Sequence, residues 1–272
     1  MPSYVVTGAS RGIGFEFLRQ LSADPASVVV GLVRDKAGTE KKVAAEIGRS
    51  NIHILKGDLT NYESLKTAAE ETSKITGGSL DYLIANGAVV SALSANRTFT
   101  YLGEDPEALE EDLLDSFKTN VIGNIHLINL FLPLIKKGQV KKVVVISSGM
   151  GDFDLNHKYD LDMAGPYSLS KAAMNLAIVK YNGELREEGI LFMSISPGLV
   201  ETSGHNDASK MNERELKNLE KMGRKFAEYA PHLKGPITPE ESVKMVTNVF
   251  NNATAEKDGG SFVSQFGNKQ WL

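Results

Sequence analysis

The chain has 272 residues with 30 basic and 34 acidic side chains, which give a formal net charge of −4. This balance argues against a nucleic-acid partner or an anionic membrane surface, and the length suits one domain with a large core. No cysteine is present, which excludes disulfides and cysteine-ligated zinc, and the five histidines show no metal-ligand spacing. From this composition we expect no bound metal. No apolar run approaches the roughly 18 residues of a membrane span, and we therefore expect a cytoplasmic protein.

The first predicted element is a strand, and a glycine-rich turn follows it directly. The stretch VVTGASRGIGFEFL passes from an apolar run through three glycines into a helical pattern. Backbone N–H groups and the positive end of a helix dipole converge at such a junction and can bind an anion. The turn therefore predicts a site for a nucleotide's pyrophosphate. Its candidate binding residues are Gly8, Ser10, Arg11, Gly12, Ile13 and Gly14.

Short apolar runs alternate with helical segments along the rest of the chain. The later strand candidates are VVVGLV, IHIL, LDYLIA, VKKVVVIS, ILFMSIS and SFVS. The helical segments are Lys36–Gly48, Tyr62–Ile75, Pro106–Lys137, Pro166–Glu188 and Pro239–Asn251. Continuously apolar strands are typical of a parallel sheet covered by helices on both faces. The pattern predicts one α/β domain over residues 1–272, with a Rossmann-type doubly wound sheet of about seven strands.

The end of the second strand carries a signal for the choice of cofactor. An acidic residue there accepts a hydrogen bond from the ribose of NAD, whereas an arginine suits the 2′-phosphate of NADP. Arg34 follows the strand, and Arg11 adds a second cation from the glycine turn. These residues predict NADP(H), although Asp35 would enter the same site if the strand register slipped by one residue.

The ends of the third and fourth strands also carry candidate nucleotide contacts. Asp58 and Leu59 follow the third strand, where the carboxylate could accept from an adenine amino group; an ordinary structural turn is the alternative. Asn86 and Gly87 follow the fourth strand, and small residues there let the backbone approach a cofactor closely.

The segment YSLSK places Tyr167 and Lys171 four residues apart on one helix face. A tyrosine can donate a proton to a carbonyl oxygen, but its free pKa of about 10 makes proton exchange near neutral pH inefficient. A neighbouring cation favours the ionised form, so we expect Lys171 to lower the pKa of Tyr167. An unremarkable pair on a helix surface is the alternative explanation.

Six motifs, TGASRGIG, ANGA, KTNVIG, ISSG, YSLSK and SPGLVET, occur in the order found in the short-chain dehydrogenase/reductase family, which the chain resembles over nearly its whole length. The similarity is greatest to fungal ketoreductases related to norsolorinic acid reductase and to sniffer-like carbonyl reductases, notably in the tail GGSFVSQFG. The resemblance implies an NADPH-dependent enzyme whose small-molecule substrate is a ketone, aldehyde or diketone. A homodimer or homotetramer is also compatible with this family.

The resemblance also implies roles for individual residues. Tyr167 would donate the proton, Ser148 would hydrogen-bond the substrate carbonyl and Asn120 would belong to a proton relay. Lys171 would hold the nicotinamide ribose in addition to acting on the tyrosine. The segment Ser196–Thr202 would cover the nicotinamide amide. Its candidate cofactor contacts are Pro197, Gly198, Val200 and Thr202.

Two departures from the family pattern concern the substrate pocket. The first is that ANGA replaces the usual Asn-Asn-Ala-Gly. The second is that Ser148 and Tyr167 are 19 residues apart. This separation is wider than usual and predicts an extra loop at Asp152–Asp162. The charged segment 202–235 is either a solvated helix pair or a cover over the substrate. We expect the two insertions to bring apolar side chains to one pocket for a bulky apolar substrate. These side chains are Phe153, Met163, Met211 and Met222.

Other functions on the same fold remain open. A regulator that senses the nucleotide without turnover need not keep Asn120, Ser148, Tyr167 and Lys171, and their presence argues against it. The epimerase and dehydratase branch differs in glycine spacing and is longer. An enoyl reductase would carry a wider spacing than that between Tyr167 and Lys171.

Overall fold

The computed structural model of the protein describes residues 1–202, 209 and 211–272. Within these residues one parallel sheet has the strand order β3-β2-β1-β4-β5-β6-β7. The strands are β1 (Ser3–Thr7), β2 (Val28–Val33), β3 (Ile52–Lys56), β4 (Tyr82–Ala85), β5 (Lys142–Ile146), β6 (Leu191–Ser196) and β7 (Phe262–Ser264). The predicted doubly wound, seven-stranded sheet is confirmed.

Helices cover both faces of this sheet. They are α1 (Gly12–Leu21), α2 (Lys36–Glu46), α3 (Tyr62–Ile75), α4 (Phe99–Leu102), α5 (Pro106–Phe117), α6 (Gly123–Ile135), α7 (Phe153–Tyr159), α8 (Gly165–Leu185), α9 (Glu213–Tyr229), α10 (Pro239–Asn252) and α11 (Ala255–Asp258). Short 3₁₀ turns occur at Gly149–Gly151 and Arg186–Glu188. None of the helices in the described ranges combines the length and apolar character needed to cross a bilayer.

The strands divide their side chains between two apolar cores. Val5 of β1 and Phe192 of β6 face the core that also contains residues of α3, α6 and α8. Their neighbours Val6 and Met193 face the opposite core, which contains residues of α1 and α10. This alternation explains why the strands are apolar throughout, because in a parallel sheet covered on both sides each strand has two buried faces.

Two predicted segments differ from the structure. The predicted helix Pro106–Lys137 is divided into α5 and α6 by a π-helical turn at Lys118–Ile122, because buried contacts of this turn, described below, override the local helical pattern. The predicted loop Asp152–Asp162 contains α7. Asp152 caps this helix by accepting from the Leu155 N–H at 2.8 Å, and Asp160 ends it with a left-handed φ of 48°.

The segment 202–235 contains a single helix among its described residues. Residues 203–208 and 210 lie outside the described part, and the helix in the described part is α9. A capping box between Asn212 and Glu215 starts this helix. The charge-rich sequence of α9 suits its mostly exposed surface, and Met222 is buried beneath it.

Candidate active site

The glycine turn and the ANGA segment meet where the direction of sheet winding reverses. β1 pairs with β2 on one side and with β4 on the other, so the carboxyl ends of β1 and β4 are adjacent. Asn86 Nδ2 donates to the Thr7 carbonyl at 2.9 Å, and the Gly87 N–H donates to Thr7 Oγ1 at 2.8 Å. Open α/β sheets bind ligands in this position.

The glycine turn is too tight for other residues. Gly8 has a left-handed φ of 65°, and a Cβ on Gly14 would lie only 2.2 Å from the Gly8 carbonyl oxygen. Arg11 occupies the N-cap position of α1, and its side chain makes no capping hydrogen bond there. The first N–H groups of α1 are therefore left without a side-chain cap, as an anion site at a helix N-terminus requires.

The two residues that follow β2 have different roles. Arg34 is exposed, whereas Asp35 caps α2 by accepting from the Gly38 N–H at 3.0 Å. Asp35 Oδ1 is therefore engaged at the start of α2, whereas Arg34 is the cation that directly follows β2. Lys42, which the sequence did not single out, reaches the Ser10 carbonyl with its Nζ at 3.5 Å and adds a cation beside the turn.

Asp58 and Leu59 form a structured turn after β3. Asp58 Oδ1 accepts from both the N–H and the hydroxyl of Thr60, at 2.9 and 2.8 Å. Partial burial raises the pKa of Asp58, but these hydrogen bonds and the charge of Arg34 outweigh it and lower the pKa overall. Leu59 packs tightly against Gly87 and Gly123. A Cβ on Gly87 would lie 2.9 Å from Leu59 Cδ1, and a Cβ on Gly123 would lie 2.3 Å from the Leu59 carbonyl oxygen. The sequence analysis missed Gly123.

Ser148, Tyr167 and Lys171 lie together at the carboxyl end of β5. Ser148 follows this strand and accepts from the Met150 N–H at 3.2 Å, while the other two residues come from the first turns of α8. Lys171 Nζ donates to the Ile146 carbonyl at 2.8 Å and lies 5.6 Å from the centre of the Tyr167 ring. The three side chains therefore lie close together, as the sequence predicted.

The electrostatics of this group differ from the sequence-based expectation. Burial raises the pKa of Tyr167 above the ordinary value for tyrosine, and a hydrogen bond with Ser148 only partly opposes this effect. Burial also lowers the pKa of Lys171 to about 8. The net shift of the Tyr167 pKa is therefore opposite to the expected one, because desolvation of the phenolate is its largest cause, and the Lys171 ammonium is directed to the Ile146 carbonyl.

Asn120 lies in the π-helical turn and is almost fully buried. Its side chain exchanges hydrogen bonds with the backbone of Val89, at 2.8 and 2.9 Å, and its Nδ2 also donates to Ser170 Oγ at 3.0 Å. Ser170 in turn donates to the Tyr167 carbonyl at 2.7 Å. Asn120 therefore connects the loop after β4 to the start of α8. Asn120 was expected from the motif KTNVIG, whereas its partner Ser170 was not singled out in the sequence.

The segment Ser196–Thr202 crosses the glycine turn. Ser242 Oγ donates to the Pro197 carbonyl at 2.7 Å, and Val200 pairs with Ile237 in an isolated parallel bridge. A Cβ on Gly12 would lie 3.4 Å from Thr202 Cγ2, so the far end of the segment reaches the start of α1. Gly198 has a φ of 84° and packs against the buried Gln265 side chain.

The C-terminal tail supports the turn that follows Ser148. Trp271 is 3% exposed, stacks on Phe262 at 4.4 Å between ring centroids, and leaves no space for a Cβ on Gly149. The backbone N–H of Trp271 donates to the Tyr229 hydroxyl at 2.8 Å, which joins the tail to α9. Lys269 pairs with Asp152 at 3.3 Å. Sequence reasoning missed this role, because the contacts join residues far apart in the chain.

We expect Trp271→Ala to lower the free energy of unfolding by about 3–5 kcal/mol, the usual cost of emptying a buried aromatic site. Phe266→Ala is the matched control in the same tail, because Phe266 is 50% exposed, and it should change this free energy by less than about 1 kcal/mol. Urea denaturation followed by circular dichroism measures both. Equal effects of the two substitutions would show that the tail does not stabilise this turn.

The four apolar residues of the two insertions do not line one pocket. Phe153 and Met163 line a cavity of about 520 Å³. Met211 instead contacts Asn96 and Met222 is buried in the packing of α9, so the expectation of a shared pocket is wrong. Both segments were expected beside the site, since Asp152–Asp162 lies between Ser148 and Tyr167 and the other segment follows Ser196–Thr202, but α9 packs Met222 inward.

Helix α9 is tied to the loop after β4 and to the α7 segment. Glu215 pairs with Arg97 at 2.7 Å, which fixes the start of α9 to the loop after β4. At the other side Lys221 pairs with Asp162, and the Tyr229 ring packs edge-on against Tyr159 of the α7 segment at 5.0 Å. The helix therefore spans the space between these two loops.

Comparisons with known proteins agree with this architecture. Residues 3–213 match the family described as short chain dehydrogenase. The chain is 53% identical to a short chain dehydrogenase, virK, of Hypocrea virens and 50% identical to the short-chain dehydrogenase/reductase iacC of Pestalotiopsis fici, each over the full length of both chains. Both relatives are fungal, as the narrower resemblance predicted.

Solved structures give the same result for the fold. The NADPH-bound carbonyl reductase from chicken fatty liver superimposes with a TM-score of 0.75 at 26% identity, and the alignment covers 98% of each chain. The carbonyl reductase Sniffer of Drosophila melanogaster has a TM-score of 0.77 at 22% identity, with the same coverage. The resemblance read from the six motifs is confirmed: the chain is an oxidoreductase of the short-chain dehydrogenase family.

Proposed function

We propose that the protein reduces a carbonyl group of a mainly apolar ketone, aldehyde or diketone with NADPH, and that Tyr167 donates the proton. The observation that carries the proposal is the grouping of Ser148, Tyr167 and Lys171 at the carboxyl end of β5. The carbonyl reductase that binds NADPH and aligns over 98% of each chain supports the same reaction.

The residues present fit a dinucleotide. The N–H groups at the start of α1 would hold the pyrophosphate, and the close approach of Gly14 to Gly8 leaves this backbone accessible. Arg34 and Arg11 would face the 2′-phosphate, with Lys42 beside them. Asp58 and Leu59 would border the adenine, Asn86 and Gly87 the ribose, and the segment Ser196–Thr202 the nicotinamide.

When bound, the cofactor would supply the hydride that reduces the carbonyl carbon. Ser148 would donate a hydrogen bond to the carbonyl oxygen and so orient it toward Tyr167. The raised pKa of Tyr167 keeps its hydroxyl protonated near neutral pH, which suits a proton donor to the developing alkoxide. Lys171 would stabilise the phenolate that remains, and Asn120 would position α8 through Ser170.

The contacts of α9 support the proposal that the segment 202–235 covers the substrate. Glu215 near its start pairs with Arg97 of the loop after β4, and Lys221 in its middle pairs with Asp162 of the α7 segment. A cover fixed at both sides would exclude water from the reacting carbonyl and favour a bulky apolar substrate.

The direct test is NADPH oxidation, followed by its absorbance, with a panel of apolar diketones and quinones. We expect turnover of several members and little turnover of small charged hydroxy acids in the reverse direction. Tight NADPH binding without turnover of any carbonyl compound would instead favour a nucleotide-sensing regulator.

We expect Arg34→Asp to reverse the preference for NADPH over NADH. The substitution replaces the cation by a carboxylate that repels the 2′-phosphate and accepts from a free ribose hydroxyl. The ratio of kcat/KM for the two cofactors should fall by about 10²-fold or more, which is about 3 kcal/mol. Lys36→Asp is the control, because Lys36 is also exposed but lies within α2. An unchanged ratio in Arg34→Asp would rule out its assignment.

The lowered pKa of Lys171 predicts a pH limit for carbonyl reduction. Its ammonium is charged below a pKa of about 8 and loses its charge above it, so kcat should fall as the pH rises through about 8. Tyr167 keeps its proton over this range, because its own pKa is raised. In Lys171→Arg the guanidinium stays charged, and the fall should move to higher pH. A fall at the same pH in the variant would assign it to another group.

A further inference from the structure

We propose that the protein has a second ligand site, distinct from the catalytic group, for an uncharged and mainly apolar small molecule with a single hydrogen-bonding group. The site is the cavity of about 520 Å³ between α4, α7 and the start of α8. This volume lies within the usual range for small-molecule sites.

The cavity lies on a different face of α8 from the catalytic side chains. Gly165, Ser168 and Ala172 line it, and their spacing of three, four and seven residues forms one stripe along the helix. Tyr167 and Lys171 form another stripe, because each residue turns the helix by roughly 100°. None of Asn120, Ser148, Tyr167 and Lys171 is among the residues that line the cavity.

The chemistry of the wall defines the ligand class. Most of the wall is apolar: the exposed side chains of Phe99, Phe153 and Leu169 contribute to it together with Met150, Leu161 and Met163. The two carboxylates at the wall are already paired, Asp152 with Lys269 and Asp162 with Lys221. Ser168 Oγ is buried and has no hydrogen-bond partner in the described chain. An unpaired buried hydroxyl is unfavourable, so a ligand that bonds to it would gain both affinity and orientation.

One wall of the cavity is shared with the catalytic group. The 3₁₀ turn Gly149–Gly151 lies between the two, with Met150 and Gly151 in the cavity wall. The Met150 N–H donates to Ser148 Oγ at 3.2 Å, and Gly151 packs closely on Lys171. A molecule in the cavity would therefore press on the turn that orients Ser148 without occupying the space before Tyr167.

The test is a calorimetric titration of the full-length protein with 2-naphthol, an apolar molecule with one hydroxyl. We expect one site in the wild-type protein. Ser168→Ala should weaken binding about threefold to tenfold, as expected for one lost hydrogen bond. Ala172→Trp should abolish binding by occupying the cavity at its wall, whereas Leu176→Trp should leave it unchanged, because Leu176 is equally exposed on the same helix but lies outside the cavity.

Two further arms separate this site from the catalytic one. Tyr167→Phe should bind 2-naphthol as the wild-type protein does, and a saturating apolar diketone should not displace it. Displacement by the diketone, or equal binding by Ala172→Trp and Leu176→Trp proteins with native circular dichroism, would overturn the proposal. These outcomes do not depend on turnover, so the site can fail while the proposed carbonyl reduction stands, and the reverse also holds.

Discussion

Tyr167→Phe should reduce kcat for carbonyl reduction by about 10²–10⁴-fold while leaving NADPH affinity within about twofold of the wild-type value. The substitution keeps the ring and its packing near Lys171 but removes the hydroxyl that would donate the proton. Because the raised pKa of Tyr167 keeps this hydroxyl protonated, the loss should be similar across the neutral pH range. Single-turnover kinetics with saturating NADPH separates the chemical step from binding.

Tyr181→Phe is the matched control for this experiment. Tyr181 lies on the same helix, α8, and its hydroxyl donates to Asn129 Oδ1 at 2.7 Å, away from Ser148 and Lys171. Its loss should cost about 1 kcal/mol of stability and leave kcat unchanged. A Tyr167→Phe protein with near-normal kcat would remove the tyrosine from the proposed chemistry.

The second large effect is expected for Gly14→Ala. The new Cβ would lie 2.2 Å from the Gly8 carbonyl oxygen and 2.7 Å from Asn86 Nδ2, so the backbone of the glycine turn has to move. We expect a loss of about 1–3 kcal/mol in the free energy of unfolding and a rise of at least about tenfold in the Kd for NADPH. Denaturation and fluorescence titration with NADPH measure the two effects.

Gly183→Ala should change the free energy of unfolding in the opposite direction and is the control for Gly14→Ala. Gly183 lies in α8, and a Cβ there meets nothing within 4 Å. Alanine is a better helix former than glycine, so this substitution should stabilise the protein by about 0.5–1 kcal/mol and leave NADPH binding unchanged. If Gly14→Ala bound NADPH as tightly as Gly183→Ala, the glycine turn would not be the pyrophosphate site.

The fold could be predicted from the sequence because its determinants are local. Runs such as VVVGLV are apolar at every position since both faces of the strand are buried, and they alternate regularly with helical segments. The glycine turn could also be predicted from the sequence, because its residues are contiguous and its geometry depends on contacts within a few residues and on the neighbouring strand. The spacing of Tyr167 and Lys171 likewise predicted their shared helix face.

The remaining features depend on contacts between distant parts of the chain. The π-helical turn at Lys118–Ile122 places Asn120 against Val89 and Ser170, which local periodicity does not report. Trp271 supports the turn after Ser148 from the far end of the chain. The direction of the Tyr167 pKa was also not predictable from a four-residue spacing, because it is set by burial. The local sequence pattern therefore identified Tyr167 and Lys171, whereas the direction of the Tyr167 pKa shift depends on tertiary packing.

The transfer of deuterium from labelled NADPH tests the proposed function most directly. The protein is incubated with an apolar diketone and NADPH that carries deuterium in both hydrogen positions at C4 of the nicotinamide, and the product is analysed by mass spectrometry. The account predicts a hydroxyketone with one deuterium on the carbinol carbon, formed in a one-to-one ratio with NADP⁺ and at a rate lowered about 10²-fold or more in Tyr167→Phe. Oxidation of NADPH without deuterium in the alcohol, or an alcohol formed at the same rate by Tyr167→Phe, would contradict it.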